Sequence, residues 1–263
     1  MADTTNEPKL LVVTPTLGTR NSLEQTILSV RLYGGPSVAH VLVGPSERLS
    51  YYKQMYPWVQ ILEQPQRKGV YPALNHALST YGASLQYFAY INDDDSWTEG
   101  FSQLLETIFN DTSLDVVYGR VLYGSIANIK DIGPFFPVSR WFSLLSSKGI
   151  PFITQQALVI KTEIVLNFNC FDENLPLSAD SKLWSQVFSS SVSVKAVDSF
   201  CAYYELAGEE RLSLNPDLIK KDFNVNLATS NVSSSISDIA KIAIYRLYNT
   251  PLYLQRLKKL YLS

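Results

Sequence analysis

Residues 85–97 read LQYFAYINDDDSW, and this stretch decides the expected fold. Its first seven residues form a short apolar run that predicts a buried strand. Three consecutive aspartates, Asp93, Asp94 and Asp95, follow directly. Adjacent carboxylates repel one another, so a positive group must offset them. An isolated triplet of this kind is also typical of a solvated acidic turn, but its position at the end of a buried strand favours a functional site.

Strand-like and helix-like patterns alternate through residues 1–120. The strand patterns are KLLVVTPT, AHVLVG, VQILEQ, LQYFAYI and LDVVYG. The helical patterns between them are NSLEQTILSVRLY, SERLSYYKQMY, YPALNHALSTYG and EGFSQLLETIFN. This alternation predicts an α/β fold with one mostly parallel, Rossmann-like sheet flanked by helices. Ligands bind outside the carboxyl ends of such strands, so the TPT and DDD segments should meet in one crevice.

The second half of the chain is less regular. Residues 125–152 show weak periodicity and predict a mobile or substrate-covering segment, which makes residues 121–205 irregular overall. Within them, QQALVIKTEIVLNF predicts a strand and a helix, SADSKLWSQVFSS a helix, and VSVKAVDSFCAYYEL one or two strands. A polar stretch follows Glu205. The end of the chain predicts two short amphipathic helices broken at Pro251, so residues 206–263 form a helical appendage.

Composition narrows the class of protein. The chain has 263 residues, of which 46% are hydrophobic, enough for one large domain. Its net charge of −2 argues against a nucleic-acid partner. The polar N-terminus lacks a signal segment, and no run reaches the ~18 apolar residues of a spanning helix. Together with only two cysteines, this predicts a cytoplasmic protein, with peripheral contact at the inner face of the membrane as an extension.

Three motifs, taken in order, resemble the family 2 glycosyltransferases of the GT-A fold, of the bacterial polysaccharide or glycolipid type. Residues 10–30, LLVVTPTLGTRNSLEQTILSV, resemble the opening strand, Pro-Thr turn and first helix. Residues 67–97, RKGVYPALNHALSTYGASLQYFAYINDDDSW, resemble the basic turn, Ala-x-Asn helix and acidic motif. Residues 155–184, QQALVIKTEIVLNFNCFDENLPLSADSKLW, resemble the acceptor-side segment with its lone Asp opening a helix. Three motifs in family order are far more specific than any one of them.

The resemblance implies a metal-dependent, inverting hexosyltransferase used in polysaccharide biosynthesis. The donor would be a nucleotide-diphosphate sugar, with UDP the first choice and GDP or dTDP the alternatives. The acceptor would be a hydroxyl of a glycan or a lipid-linked glycan. Residues 1–120 would be the nucleotide-sugar half of the domain, and residues 121–205 the acceptor and catalytic half. The implied nucleotide-binding residues are Thr14, Pro15, Thr16, Arg67, Lys68, Asn75 and Asp93.

The same resemblance implies the metal site. Asp94 would bind Mn²⁺ or Mg²⁺, and Asp95 is the alternative because Asp93-x-Asp95 also has the Asp-x-Asp spacing. These cations take oxygen ligands and keep substrate phosphates in their shell. A bound cation would also offset the carboxylate repulsion and neutralise the departing diphosphate.

Asp180 would be the general base that takes the proton of the acceptor hydroxyl. The simpler interpretation is that Ser178 or Asp180 caps a helix. On the acceptor side, Trp141 and Trp184 could stack on sugar rings, although core packing is the default for a tryptophan. Gln155 and Gln156 could hydrogen-bond sugar hydroxyls, or else be amides at a buried strand edge.

Several alternatives stay open. The family often places an Asp after the second strand to contact the base, whereas this chain has Gly44. A nucleotidyltransferase also pairs aspartates with Mg²⁺, and an inactive relative would bind a nucleotide or glycan without transfer. The basic, apolar C-terminal tail could lie on an anionic membrane; it could instead pack against the domain or form a homodimer.

Overall fold

The computed structural model describes residues 7–64, 69–150, 152–206, 215–227 and 235–262. Within these residues, nine strands form one sheet. The strands are β1 (Leu10–Pro15), β2 (Val38–Gly44), β3 (Val59–Glu63), β4 (Tyr87–Tyr90), β5 (Ser96–Trp97), β6 (Val116–Ser125), β7 (Asn128–Ile132), β8 (Leu158–Lys161) and β9 (Val194–Tyr204). The helices are α1 (Leu23–Gly34), α2 (Ser46–Met55), α3 (Val70–Tyr81), α4 (Glu99–Asn110), α5 (Phe142–Ser147), α6 (Thr162–Asn167), α7 (Ala179–Ser189), α8 (Pro216–Leu227), α9 (Ile236–Tyr248) and α10 (Thr250–Leu262).

The sheet confirms the predicted α/β class. Its first four strands run parallel in the order β3-β2-β1-β4. Strand β1 is buried on both faces, which explains why its sequence is apolar from Leu10 to Val13. Leu11 and Val13 pack with α3 and α7 on one face. Leu10 and Val12 pack with α4 on the other face.

The second half of the sheet differs from a simple parallel series. Strand β8 inserts antiparallel between β4 and β6, so the predicted fifth strand does not lie beside the fourth. Strand β9 then runs parallel to β6, and the short β5 pairs with β9. The two residues of β5 are too few to give a periodic signal in the sequence.

Residues 125–152 hold more regular structure than the sequence predicts. They contain β7, which forms a hairpin with β6, and the short helix α5. Phe136, Phe142 and Phe152 from this segment are buried in the core. Their aromatic packing, rather than helical or strand periodicity, orders the segment. The polar stretch after Glu205 also contains an unexpected helix, α8.

The two C-terminal helices are confirmed as α9 and α10. They are separated at Asn249, and Pro251 lies in the first turn of α10, where proline is well tolerated. No helix in the described ranges has the length and apolar character that crossing a bilayer requires.

The parallel register brings the motifs to one edge of the sheet. Val13 of β1 lies beside Tyr90 of β4, so the chain leaves both strands at the same level. Ile91 N then donates to Val13 O at 3.0 Å, which extends the pairing into the acidic loop. The predicted meeting of the TPT and DDD segments is confirmed by this register.

Candidate active site

The acidic loop is held by the turn after β1 and by the start of α1. Thr16 Oγ1 donates to Asp93 Oδ2 at 2.6 Å. Ser22 Oγ donates to the backbone oxygen of Asp93 at 2.8 Å, so this serine secures the loop and makes no side-chain cap of α1. Thr26 Oγ1 donates to the backbone oxygen of Asp95 at 2.6 Å. Three hydroxyls thus fix the loop from one side.

Arg20 is the positive group beside the aspartates. Its Nε lies 3.3 Å from Asp93 Oδ1, and its Nη1 donates to Asp94 Oδ2. Burial raises the pKa of the Asp93 carboxyl, whereas the Thr16 hydrogen bond and the Arg20 charge lower it. The guanidinium therefore offsets the repulsion between the two neighbouring carboxylates.

Asp95 points away from its two neighbours into the protein. It is only 2% exposed and accepts from Gln156 Nε2 at 2.8 Å and from Glu205 N at 3.0 Å. Burial raises the pKa of Asp95 well above its usual range, and the charge of Asp94 raises it further. This carboxyl ties the acidic loop to the residues before β8 and after β9.

Asp180 lies in the first turn of α7 and is linked to the end of β4 through Tyr90. Its Oδ1 accepts from Tyr71 Oη at 3.0 Å and from Ser181 N at 2.7 Å, and its Oδ2 accepts from Tyr90 Oη at 3.2 Å. Ser178 precedes the helix as N-cap but makes no side-chain capping bond. Burial raises the pKa of Asp180, and the three hydrogen bonds lower it. A partly buried carboxylate of raised pKa suits a proton acceptor.

One cleft of about 370 Å³ joins these groups. Of the residues implied by the sequence, it brings together Pro15, Asp93, Asp94, Gln155, Gln156 and Asp180. It is also lined by residues that sequence reasoning missed, among them Arg20, Tyr71, Tyr90, Tyr204 and Glu205. Arg20 lies within the first motif, so its positive charge and its position in the chain can be read from the sequence. The tyrosines give no such signal, because their spacing matches ordinary core residues.

Three implied nucleotide residues, Thr14, Thr16 and Asn75, are absent from the cleft lining. Thr16 instead holds Asp93 through its hydroxyl. Thr14 is fully buried, with its Oγ1 2.9 Å from His40 Nε2. Burial lowers the pKa of His40 to about 3, so this imidazole is neutral. Asn75 donates to the backbone oxygen of Phe171 at 2.8 Å and accepts from its N–H at 3.0 Å. Asn75 thereby positions the segment that leads into α7. Arg67 and Lys68 lie outside the described residues.

The two tryptophans also lie outside the cleft lining. Trp184 is 2% exposed and packs edge-on against Phe171 in the core. Trp141 is half-buried and stacks on Phe136, with ring centroids 5.2 Å apart. Of the implied acceptor-side residues, the glutamines alone line the cleft, and Gln156 is itself buried against Asp95.

Gly44 is required by the backbone beside it. A Cβ at this position would lie 2.0 Å from the carbonyl oxygen of Thr16. No larger residue fits without moving Thr16, which holds Asp93. The acidic base contact that the resemblance places here is therefore sterically excluded in this chain.

A divalent cation would find two carboxylates here. The described residues contain no cluster of three or more His, Cys, Asp or Glu side chains suited to a metal. Asp93 and Asp94 line the cleft together and offer hard oxygen ligands. Such a half-site fits Mg²⁺ or Mn²⁺, since these ions complete their shells with water and substrate phosphates. Asp95 faces the interior instead.

Solved structures share this architecture. S. aureus TarS 1-349 in complex with UDP-GlcNAc superposes with a TM-score of 0.64 at 13% identity, over 91% of this chain and 73% of that chain. S. aureus TarS 1-349 in complex with UDP gives a TM-score of 0.61 at 13% identity, over 86% and 67%. For S. aureus TarS the TM-score is 0.60 at 12% identity, over 90% of this chain and 43% of that one. At these identities the likeness shows a shared GT-A fold.

Among curated proteins, none matches this chain. The family model described as glycosyl transferase family 2 matches residues 11–159, which is more than half of the sequence. The match spans the first two motifs and reaches into the third. The chain therefore belongs to glycosyl transferase family 2 and is a glycosyltransferase.

Proposed function

We propose that this enzyme transfers a sugar from a nucleotide-diphosphate donor to a hydroxyl of a glycan or lipid-linked acceptor, with inversion and with a divalent metal. The observation that carries the proposal is the shared cleft. Asp93 and Asp94 line this cleft together with Asp180, whose carboxylate accepts from two tyrosine hydroxyls. A nucleotidyltransferase would belong to another family, so the family match argues against that alternative.

On the donor side, the acidic loop would receive the nucleotide. Pro15 and Thr16 would lie against the base and ribose, and Asp93 would contact the ribose. Enzymes of this family commonly use a divalent metal, and Asp94 would be its ligand as Mn²⁺ or Mg²⁺. When bound, such a cation neutralises the departing diphosphate. UDP is the first choice of nucleotide because TarS of the same fold is solved with UDP-GlcNAc and with UDP.

On the acceptor side, Asp180 would act as the general base. The carboxylate takes the proton of the acceptor hydroxyl while that oxygen bonds to the anomeric carbon. The bond from this carbon to the diphosphate oxygen breaks on the opposite face, which inverts the configuration. The Tyr71 and Tyr90 hydroxyls would hold Asp180 in place, and Gln155 would hydrogen-bond the acceptor sugar. We place this reaction in the cytoplasm.

The test is Asp180→Asn, assayed for donor turnover with UDP-, GDP- and dTDP-sugars and Mn²⁺. The amide keeps the shape of the side chain and cannot take the proton, so we expect the rate to fall ~10²–10⁴-fold. Donor affinity should stay near the wild-type value, because the donor contacts come from the acidic loop. The variant and the wild type should melt at similar temperatures.

The same experiment separates the alternatives. If Asp180 only supports the first turn of α7, asparagine would serve nearly as well, and both turnover and stability would stay unchanged. If the protein is an inactive binding relative, the wild type would bind UDP without turning over any of the three donors. Either outcome would contradict the proposed mechanism.

A further inference from the structure

Helix α9 is a fixed part of the domain. Tyr245 is fully buried, and its ring lies 5.5 Å from Phe136 and 5.9 Å from Phe152. Asn249, at the end of α9, accepts from Phe135 N at 3.2 Å. The inner face of the helix is therefore anchored by aromatic packing, as the packing alternative for the tail predicts.

Helix α10 is anchored to the β6–β7 hairpin. Arg256 Nη2 donates to Ile132 O at 2.8 Å, and its Nε lies 2.7 Å from Asp131 Oδ2. Lys259 Nζ donates to Lys130 O at 2.8 Å. Two basic side chains thus fix α10 on β7, which means that both helices hold a defined orientation.

The opposite side of the pair is apolar and exposed. On α9, Ile236 is 87% exposed, Ile239 60% and Leu247 73%, and Leu254 on α10 is 54% exposed. The outer apolar face consists of Ile236, Ile239, Ala243, Leu247, Leu254 and Leu257. Its α9 members follow the spacing of one helical face. A shallow groove of about 550 Å³ runs between the two helices at this side. An exposed apolar row on an anchored helix pair indicates an interaction surface.

The net charge of the two helices indicates which kind of partner would bind the outer apolar face. Residues 235–263 carry five basic and one acidic side chain, a net charge of +4, whereas the whole chain has −2. Arg246 and Lys258 are exposed on the helices that carry the outer apolar face. A second copy of this chain would bring Arg246 and Lys258 against the same two basic side chains across the contact. An anionic membrane surface offers an apolar layer for the exposed apolar side chains and negatively charged headgroups for the basic ones.

We propose that the outer apolar face docks this enzyme on an anionic membrane surface. The six apolar side chains would enter the headgroup boundary, and Arg246 and Lys258 would contact anionic headgroups. This docking does not depend on the transfer chemistry proposed above.

The docked helix pair would lie between the lipid and the cleft, which would place the cleft one helix diameter, ~10 Å, from the apolar layer. Tyr123 lines the cleft and pairs in register with Asp131, the residue that binds Arg256. Phe152 contacts Tyr245 and directly precedes Ile153, which also lines the cleft. The inner side of the helix pair therefore lies next to the part of the cleft that residues 121–205 form. A lipid-linked acceptor suits this arrangement.

The experiment is cosedimentation of the whole chain with vesicles. We expect binding to vesicles of equimolar phosphatidylcholine and phosphatidylglycerol, and little binding to phosphatidylcholine alone. Ile239→Glu combined with Leu247→Glu should weaken binding by at least about tenfold, since each removes a leucine-sized apolar contact. Arg246→Gln and Lys258→Gln should each weaken binding to anionic vesicles by about fivefold. Added salt should weaken wild-type binding as well.

The matched control is Leu32→Glu, which replaces a side chain that is 71% exposed on α1, away from the helix pair. It should bind vesicles like the wild type. If the double variant folds poorly, Ile236→Glu gives the same test, because an acidic residue suits the first turn of α9. Donor turnover and melting temperature should be unchanged in these variants.

Three results would overturn the proposal. The wild type could fail to sediment with anionic vesicles. Ile236→Glu and the double variant could both bind as the wild type does. Sedimentation velocity could instead show a dimer that these substitutions dissociate, without vesicle binding; the face would then join two copies.

Discussion

The Tyr71 hydroxyl donates to Asp180 Oδ1 at 3.0 Å, although 109 residues separate the two in the chain. Tyr71 begins α3 and Asp180 begins α7, so the bond joins the motif before the acidic loop to the acceptor-side motif. Burial raises the pKa of the Tyr71 hydroxyl well above its usual range, and it therefore remains a donor at any working pH. The contact gives the proposed base both its position and part of its charge stabilisation.

Tyr71→Phe should shift the pH dependence of turnover. The hydroxyl lowers the pKa of Asp180 by stabilising its charged form, so removing it raises that pKa further. A base works only when it is deprotonated, and the loss of activity at acidic pH should therefore begin at a higher pH. Tyr90→Phe should act in the same direction. The measurement is kcat/KM against pH for the two variants and the wild type.

Tyr118→Phe is the matched control. Tyr118 is also buried, but its hydroxyl donates to Phe136 O at 2.7 Å and is not bonded to Asp180. This variant should lose some stability and keep the wild-type pH profile. If Tyr71→Phe lowers the rate equally at all pH values, the tyrosine orients the base without tuning its proton affinity.

The sequence predicts the first half of the fold well because each element there follows a simple period. Strand β1 opens with four consecutive apolar residues, and the aspartates mark the end of β4. The order of the remaining strands cannot be predicted from local sequence patterns. Placing β8 between β4 and β6 depends on contacts across the sheet that no window of sequence contains.

The residues of the candidate site also divide into those that local sequence predicts and those that it does not. Asp93, Asp94 and Asp180 could be named because carboxylates at strand and helix ends carry a chemical signal. Tyr71 could not, since a tyrosine in an apolar helix is usually a core residue. Trp184 is the opposite case: its sequence context allows sugar stacking as well as core packing, and the structure shows it packed edge-on against Phe171.

Asp94→Asn should weaken nucleotide binding that depends on metal. The side chain lines the cleft, and losing its charge removes an oxygen ligand of the cation. Calorimetry with UDP and Mn²⁺ should show that the affinity falls at least about tenfold. A loss of this size follows even when only a residue hydrogen-bonded to a metal ligand is removed. Binding of UDP in EDTA provides the reference for both proteins. An unchanged Mn²⁺–UDP affinity in the variant would contradict the ligand role of Asp94 and leave Asp93 as the carboxylate of the cleft lining that could bind the cation.

Asp95→Asn should flatten the dependence of stability on pH. Burial holds the pKa of Asp95 well above that of an unfolded aspartate, which is about 3.9. Between these two values the folded state binds the proton more tightly, so the free energy of unfolding falls as the pH rises. The variant lacks this proton and should lose less stability as the pH rises above about 4. Within the described residues Gln156 Oε1 has no hydrogen-bond partner, so a rotated Gln156 amide can accept from the introduced amide.

Melting curves at a series of pH values measure this effect, and the slope is the readout. Asp198→Asn is the control, because the Asp198 side chain is 68% exposed and pairs with Arg120 at 2.9 Å on the protein surface. It should leave the slope unchanged. Parallel curves for the wild type and Asp95→Asn would mean that Asp95 is not the source of the pH dependence.

Arg20→Gln should tighten the binding of Mn²⁺ alone. The guanidinium pairs with Asp93 and Asp94, so a cation that binds Asp94 must displace it. Removing this competing charge should raise Mn²⁺ affinity without nucleotide by about tenfold. The two carboxylates would then repel each other without compensation, and the melting temperature should fall in EDTA and recover with Mn²⁺. Arg48→Gln, an exposed position on α2 outside the cleft lining, should change neither quantity. A weaker affinity for Mn²⁺ in Arg20→Gln would show that Arg20 supports the cation site instead of competing with the cation for it.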